Sequence, residues 1–269
     1  MILSFVLSLR EGLEAALIIG IVLGVLRKSE RRDLNRSVWA GVITAAILSI
    51  LFALLLRGIG KELEGRPEQI FEGMTFLLAA GVITWMIIWM RRQSGSMKST
   101  LERNVNQAAN LKGNGAIFFL SFMAVIREGI ELALYLTAIS LTSSGIQTLL
   151  GTSIGLLVAC LMGYLIYTAT LHLNIQRFFQ VTTFILILFA AGLIAHSVAE
   201  FNEAGIIPAI IYPVWNLNPF LNDKSIVGII LSTLFGYYGS PSLTQVLGYS
   251  VYILAIAFAF VKTRNLQVS

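Results

Sequence analysis

Two short stretches of this chain carry charge where the surrounding sequence is apolar: Arg10-Glu11-Gly12-Leu13-Glu14 and Arg127-Glu128-Gly129-Ile130-Glu131. In a helix the two glutamates of each stretch, three residues apart, share a face. Each arginine precedes the second glutamate by four residues, so it can pair on its own helix or bridge to the other stretch. Four carboxylates and two guanidiniums gathered in apolar surroundings form a site for a cation. Oxygen-only ligands suit hard cations such as iron(III), manganese, calcium or magnesium and disfavour metals that select thiolates. A buried salt bridge holding two helices in register is the plainer alternative, but it leaves the second glutamate of each stretch without a role. Gly12 and Gly129 remove a side chain beside the charges, which allows close helix approach or gives an ion access to the carboxylates.

The elements that must position these residues are set by the composition. With 57% apolar and 12% charged residues and a mean hydropathy of +0.81, the chain lies outside the range of soluble globular domains. Seven largely apolar runs, about 2–26, 38–57, 70–90, 115–139, 148–170, 178–201 and 242–262, are long enough as helices to cross a bilayer core of ~30 Å. Such continuous runs exclude the alternating pattern of a membrane β-barrel. The first run lacks a basic leader and carries Arg10, Glu11 and Glu14 in its middle, so it reads as a span and not as a cleavable signal. Three charges facing lipid at mid-span would cost on the order of 8–10 kcal/mol, so they are expected to face the protein interior. The single cysteine, Cys160, excludes an internal disulfide and reads as a small packing residue.

Aligning the chain with itself at an offset of 117 superposes 4–17 on 121–134, with all of Arg-Glu-Gly-x-Glu retained; a weaker echo pairs Leu78-Ala79-Ala80-Gly81 with Phe189-Ala190-Ala191-Gly192. The pattern predicts two units of three spans each. An odd number of crossings per unit makes the second inverted relative to the first, and sites in such folds lie near the midplane where the units meet. The fold class expected is therefore an all-α integral membrane protein with seven transmembrane helices, a 3+3 inverted repeat plus one additional helix. One transmembrane domain fills the chain: repeat 1 over about 1–112, repeat 2 over about 113–201, an external segment 202–241 and a seventh helix 242–262.

The net charge of +5 is a topology signal and not a nucleic-acid footprint. Basic residues cluster after the first span (Arg27, Lys28, Arg31, Arg32, Arg36) and after the third (Arg91, Arg92, Lys98, Arg103, Lys112), whereas Arg57, Lys61, Arg66 and Lys224 stand on the opposite side. The positive-inside rule then puts the N-terminus outside and the C-terminus in the cytoplasm of a multi-pass inner-membrane protein.

Further residues could line an approach to the site. Glu64, Glu68 and Glu72 recur every four residues where the third run begins, and Glu68 and Glu72 are candidate entry or pore carboxylates against the alternative of a solvated helix end. Glu200 is a third candidate entry or pore carboxylate; it stands four residues from His196, a spacing that holds metals, although a lone histidine is commonly a packed one. The segment 202–241, rich in Pro, Asn and aromatics, is expected to form a re-entrant or lid structure. Trp85, Trp89 and Trp215 read as interfacial anchors, and Met86 and Met90 as packing residues.

The paired Arg-Glu-Gly-x-Glu motifs resemble the signature of the iron permease family, the oxidase-dependent iron transporters of fungi and bacteria. The resemblance extends over the seven spans and the orientation, and includes Glu68-Gln69-Ile70-Phe71-Glu72-Gly73 at the third span. It implies uptake of iron ions, with Glu11, Glu14, Glu128 and Glu131 as metal ligands and Arg10 and Arg127 as their charge partners. It also implies extracytoplasmic iron-binding, oxidase or peroxidase-like partners, and no tightly bound cofactor. Because the family includes members associated with lead, another hard divalent cation or lead stays open as cargo. A membrane oxidoreductase acting on iron is the rival from the enzyme class; it would need haem, copper or flavin ligands, and His172 with His196, near opposite faces, supplies no such pair. No nucleotide-binding loop is present in the sequence, which argues against ATP coupling within the chain.

Overall fold

In the computed structural model the described residues are 1–93, 103–105, 107–108, 113–142, 144–168, 175–223 and 225–265. Each of the seven apolar runs coincides, to within a few residues, with a long helix. These are α1 (Ile2–Lys28), α2 (Asn35–Glu62), α3 (Arg66–Gln93), α4 (Gly113–Thr142), α5 (Gly145–Tyr167), α6 (Ile175–Glu203) and α8 (Leu243–Asn265). A short helix, α7 (Ile226–Phe235), precedes the last, and a 3-10 turn (Arg32–Leu34) joins α1 to α2. No strand occurs among the described residues. Five stretches, Arg32–Ile59, Arg66–Met90, Gly145–Ile166, Phe178–Glu203 and Leu243–Phe260, are long and apolar enough to cross a membrane. The remaining long helices, α1 and α4, each carry three charges at mid-length, which removes them from that set by composition alone. His172, Lys98, Lys112 and Lys224 lie outside the described residues.

The chain divides into two compact units. The first comprises Met1–Arg57, Ile87–Thr137 and Gly145–Phe179. Here α1 packs along α5 through small residues spaced by four. A Cβ on Gly12 would meet Ala159 Cβ at 2.7 Å, one on Gly155 would meet Phe5 O at 2.6 Å, and one on Gly163 would meet Ala16 Cβ at 2.6 Å; Gly151 abuts Ser4. The approach of α4 to α2 has the same design. A Cβ on Gly41 would lie 2.6 Å from Phe118 O and 3.2 Å from Ser121 Cβ, and one on Gly129 would collide with Ser49. Backbones this close gain van der Waals contact that lipid-facing leucines would prevent. Below these contacts Ile19, Val22, Leu26, Leu34, Val38, Val105 and Ile117 form a dry core that seats the α1–α2 turn on α4.

Cys160 sits beside Ala159 on α5 but faces outward and is exposed, a correction to its expected packing role. Its neighbour takes the α1-facing position, and successive helical residues point about 100° apart.

The second unit comprises Gly58–Met86, Ala138–Ser144 and Gln180–Ser269. Its distinctive part is segment 202–241, which forms a series of turns, α7, and a non-helical return. Ser225 caps α7 by accepting from Gly228 N at 2.9 Å, and Gly236, at φ 67°, ends the helix in the left-handed conformation. At that end Gly236 packs on Gly192, where a Cβ would meet Gly236 N at 2.7 Å. Gly192 lies eleven residues before the end of α6, ~16 Å along the axis at 1.5 Å per residue. The chain therefore doubles back along α6. Its return is tied to the preceding turns: Gly239 N donates to Asp223 Oδ1 at 2.7 Å, Asn218 Nδ2 to Ser240 Oγ at 2.8 Å and Val214 N to Pro241 O at 2.9 Å.

Candidate metal centre

The Arg-Glu-Gly-x-Glu stretches occupy the middle of α1 and α4 and lie together in the first unit. Glu11, Glu128 and Glu131 each offer a carboxylate oxygen, and these three atoms lie within 4.8 Å of one another. All three residues are buried: Glu11 is 1% exposed, Glu128 5% and Glu131 4%. Among the described residues this is the group of His, Cys, Asp and Glu side chains that could hold a metal ion. Glu11 Oε2 and Glu128 Oε2 are buried without a hydrogen-bond partner, a costly arrangement for carboxylate oxygens unless a cation or proton meets them.

The arginines pair on their own helices, the first of the two arrangements the sequence allowed. Arg10, fully buried, places Nη1 2.6 Å from Glu11 Oε1 and Nη2 2.6 Å from Glu14 Oε1. The Arg10–Glu14 contact is a charge contact and lacks hydrogen-bond alignment at Glu14 Oε1. Arg127 donates from Nε to Glu131 Oε1 at 3.0 Å and stands 4.0 Å from Glu128 Oε1. Glu14 thus belongs to the charge network through Arg10 and not to the three-carboxylate group.

Several residues at the site carried no signal of their own in the sequence. Tyr135, buried one turn beyond Glu131, donates to its Oε2 at 3.3 Å; the spacing of four could have pointed to it. Trp89, expected as an interfacial anchor, lies with its ring centroid 4.1 Å from Arg127 Cζ. Met90, expected as packing, accepts from Arg10 Nη2 at 2.7 Å. Both contacts have one cause: α3 ends between the motif-bearing helices, a tertiary placement that periodicity does not encode. Met86 is fully buried, as expected of packing, and Trp85 and Trp215 are exposed.

The accessory candidates lie in the second unit. Glu68, Glu72, Glu200 and Glu203 are near enough to repel one another, and Gln69 Nε2 donates to Glu203 Oε2 at 3.4 Å. Glu68, Glu72 and Glu200 are all half-buried. His196 is buried, with Nδ1 2.7 Å from Tyr238 Oη, Nε2 3.4 Å from Ser232 O and the Phe76 ring 5.4 Å away. Both ring nitrogens have protein partners, which is the packed state of the two the sequence left open. Burial pushes the Tyr238 hydroxyl above the usual phenol range, so it stays protonated and can donate to His196.

Comparison with known proteins bears on all of this. Residues 1–266 match the family described as the iron permease FTR1 family. The chain is 33% identical over 264 residues to the ferrous iron permease EfeU of Escherichia coli O6:K15:H31, covering 97% of this chain and 95% of the relative. It is 32% identical over 262 residues to the ferrous iron permease EfeU of Yersinia pestis, covering 97% and 93%. No solved structure matches the chain.

Proposed function

The chain belongs to the iron permease family, and from that premise we propose that it carries iron ions across the cytoplasmic membrane into the cell through a midplane site built by the two Arg-Glu-Gly-x-Glu motifs. The observation that carries the proposal is the convergence of Glu11, Glu128 and Glu131 from buried positions on two helices. The cargo is iron, ferrous by the names of the relatives. Charge supports a divalent ion: four ionised glutamates and two guanidiniums leave a net −2, which a divalent cation neutralises and a trivalent one overshoots.

In this reading Glu11 and Glu128 present their unpaired oxygens to the ion, Glu131 adds a third ligand, and Glu14 holds Arg10 away from the ion path. Cargo binding loosens the hold of the arginines on the carboxylates, and loss of cargo restores it. The arginines alone leave the empty site at −2, so release of the ion requires that charge to be made up by protons or by a following cation.

The inverted repeat is supported by the packing. Gly41 and Ser49 on α2 and Gly151 and Ala159 on α5 are two pairs offset by 110, while Gly12 and Gly129 are offset by 117. The contact of Gly12 with Ala159 then corresponds to that of Gly129 with Ser49, and Ser4 with Gly151 corresponds to Ser121 with Gly41. Each motif helix packs on the second helix of the opposite repeat. With seven crossings the N-terminus lies outside and the C-terminus in the cytoplasm. Segment 202–241 reads as a re-entrant hairpin with α7, ten very apolar residues, too short to span. Glu68, Glu72 and Glu200 form an outer approach that concentrates cations.

The test is radioactive iron uptake into proteoliposomes, with manganese, zinc and lead as competitors. Uptake by the wild-type chain that is inhibited in the order of competitor affinity identifies the cargo class. Absence of iron uptake beside transport of another metal would reassign the cargo and keep the site.

A further inference from the structure

The end of α3 touches both motifs at once. Trp89 stacks its ring under the Arg127 guanidinium at 4.1 Å, and the next residue, Met90, accepts from Arg10 Nη2 at 2.7 Å. Consecutive helical side chains diverge by about 100°, so a helix end lodged between α1 and α4 can address one arginine on each. Phe179 gives Arg10 an aromatic face as well, its ring centroid 5.7 Å from Cζ.

The chemistry of these partners matters more than their number. An indole face and a thioether attract a guanidinium without bringing negative charge. A carboxylate in either place would lock the arginine and alter the charge balance of the site. A purely aliphatic surface would leave the arginine free to swing toward a further carboxylate, and for Arg127, which already meets Glu131 Oε1 at 3.0 Å, Glu128 Oε1 stands 4.0 Å from Nε. Glu128 Oε2 is an oxygen that stands unpartnered. An arginine that moved onto Glu128 would compete with the cation for the same carboxylate.

We propose that Trp89 and Met90 are positioning residues that hold Arg127 and Arg10 on their own sides of the site, keeping the shared carboxylate oxygens available to the cation. The proposal rests on the placement of the cargo at the motif glutamates. Because one short stretch of α3 serves both motifs, any displacement of that helix end acts on both arginines together, which makes it an element through which the two motifs are coupled.

The experiment measures concentration-dependent iron uptake in proteoliposomes for Trp89→Leu, Trp89→Phe and Met90→Leu, beside Glu128→Gln, each checked for folding by thermal unfolding in detergent. Met90→Leu preserves volume and removes the sulfur acceptor, and Trp89→Phe preserves an aromatic face. The expected result is a KM raised about tenfold in Trp89→Leu and a few-fold in Met90→Leu, maximal rate within about twofold of wild type, and a KM in Trp89→Phe closer to wild type. Should Trp89→Leu fail to fold, Met90→Leu and Trp89→Phe still read the same quantity. A wild-type KM in Met90→Leu and in every folded Trp89 variant, with uptake abolished in Glu128→Gln, overturns the positioning role and leaves the carboxylate site standing. Wild-type uptake in Glu128→Gln overturns the site itself and the positioning role with it.

Discussion

The carboxylates of Glu11 and Glu128, at the same place in two motifs 117 residues apart in sequence, offer oxygens within 4.8 Å of each other in the structure. Two buried carboxylates at this distance repel strongly unless a cation or a proton lies between them, and each retains one oxygen without a hydrogen-bond partner.

The four motif glutamates are therefore not equivalent. Glutamine at Glu11, Glu128 or Glu131 removes a member of the three-carboxylate group and is expected to lower iron uptake at least about 10-fold, the smaller loss seen even for outer partners of metal ligands. Glu14→Gln, acting through Arg10, is expected to fall less. Uptake assays on the four variants decide it, and a Glu14→Gln defect larger than the other three would contradict the ranking.

Arg10 is fully buried with two carboxylates for company. Arg10→Gln leaves them without their counter-charge, and breaking a buried pair costs about 3–5 kcal/mol. Thermal unfolding in detergent should show a large drop in midpoint, partly recovered when Glu14→Gln is added. No recovery in the double variant would mean that the pair is not the source of the loss.

The close approach at Gly129 predicts a steric dependence on Ser49. Gly129→Ala should destabilise by about 1–3 kcal/mol through overpacking, and Ser49→Gly in the same chain should restore much of it. Gly12→Ala with Ala159→Gly should behave the same way at the corresponding contact. Additive losses in both double variants would remove the packing argument for the inverted repeat.

How much of this the sequence revealed depends on the kind of residue. The seven runs and the two motifs were legible, because apolar length and repeated Arg-Glu-Gly-x-Glu spacing are local properties. Own-helix pairing of Arg127 with Glu131 was one of the two arrangements that a spacing of four left open. The division of labour among the glutamates did not follow, since Glu11 and Glu14 share a helix face and only the approach of α4 separates them. Trp89 and Met90 were read by type, as an anchor and as filler, because nothing along α3 announces that its end meets two arginines. The double-back at Gly192 and Gly236 was anticipated only as a re-entrant or lid structure, for a contact between two glycines far apart in sequence leaves no periodic trace.

That double-back yields its own prediction. Tyr238→Phe removes the hydroxyl that meets His196 Nδ1 and should cost about 1 kcal/mol, exposing α7 to faster amide exchange. Hydrogen exchange read by mass spectrometry over 226–242 measures it. Unchanged protection there would show that the Tyr238 hydroxyl contributes nothing to holding the hairpin.

The most direct test of the central claim is X-ray absorption at the iron edge on purified, iron-loaded protein, with the iron content counted per chain. The account predicts a coordination shell of oxygen atoms alone, and loss of the bound iron in Glu11→Gln and in Glu128→Gln while both variants remain folded. A shell containing nitrogen or sulfur, or full iron occupancy in either variant, would contradict the placement of the cargo at the paired motifs.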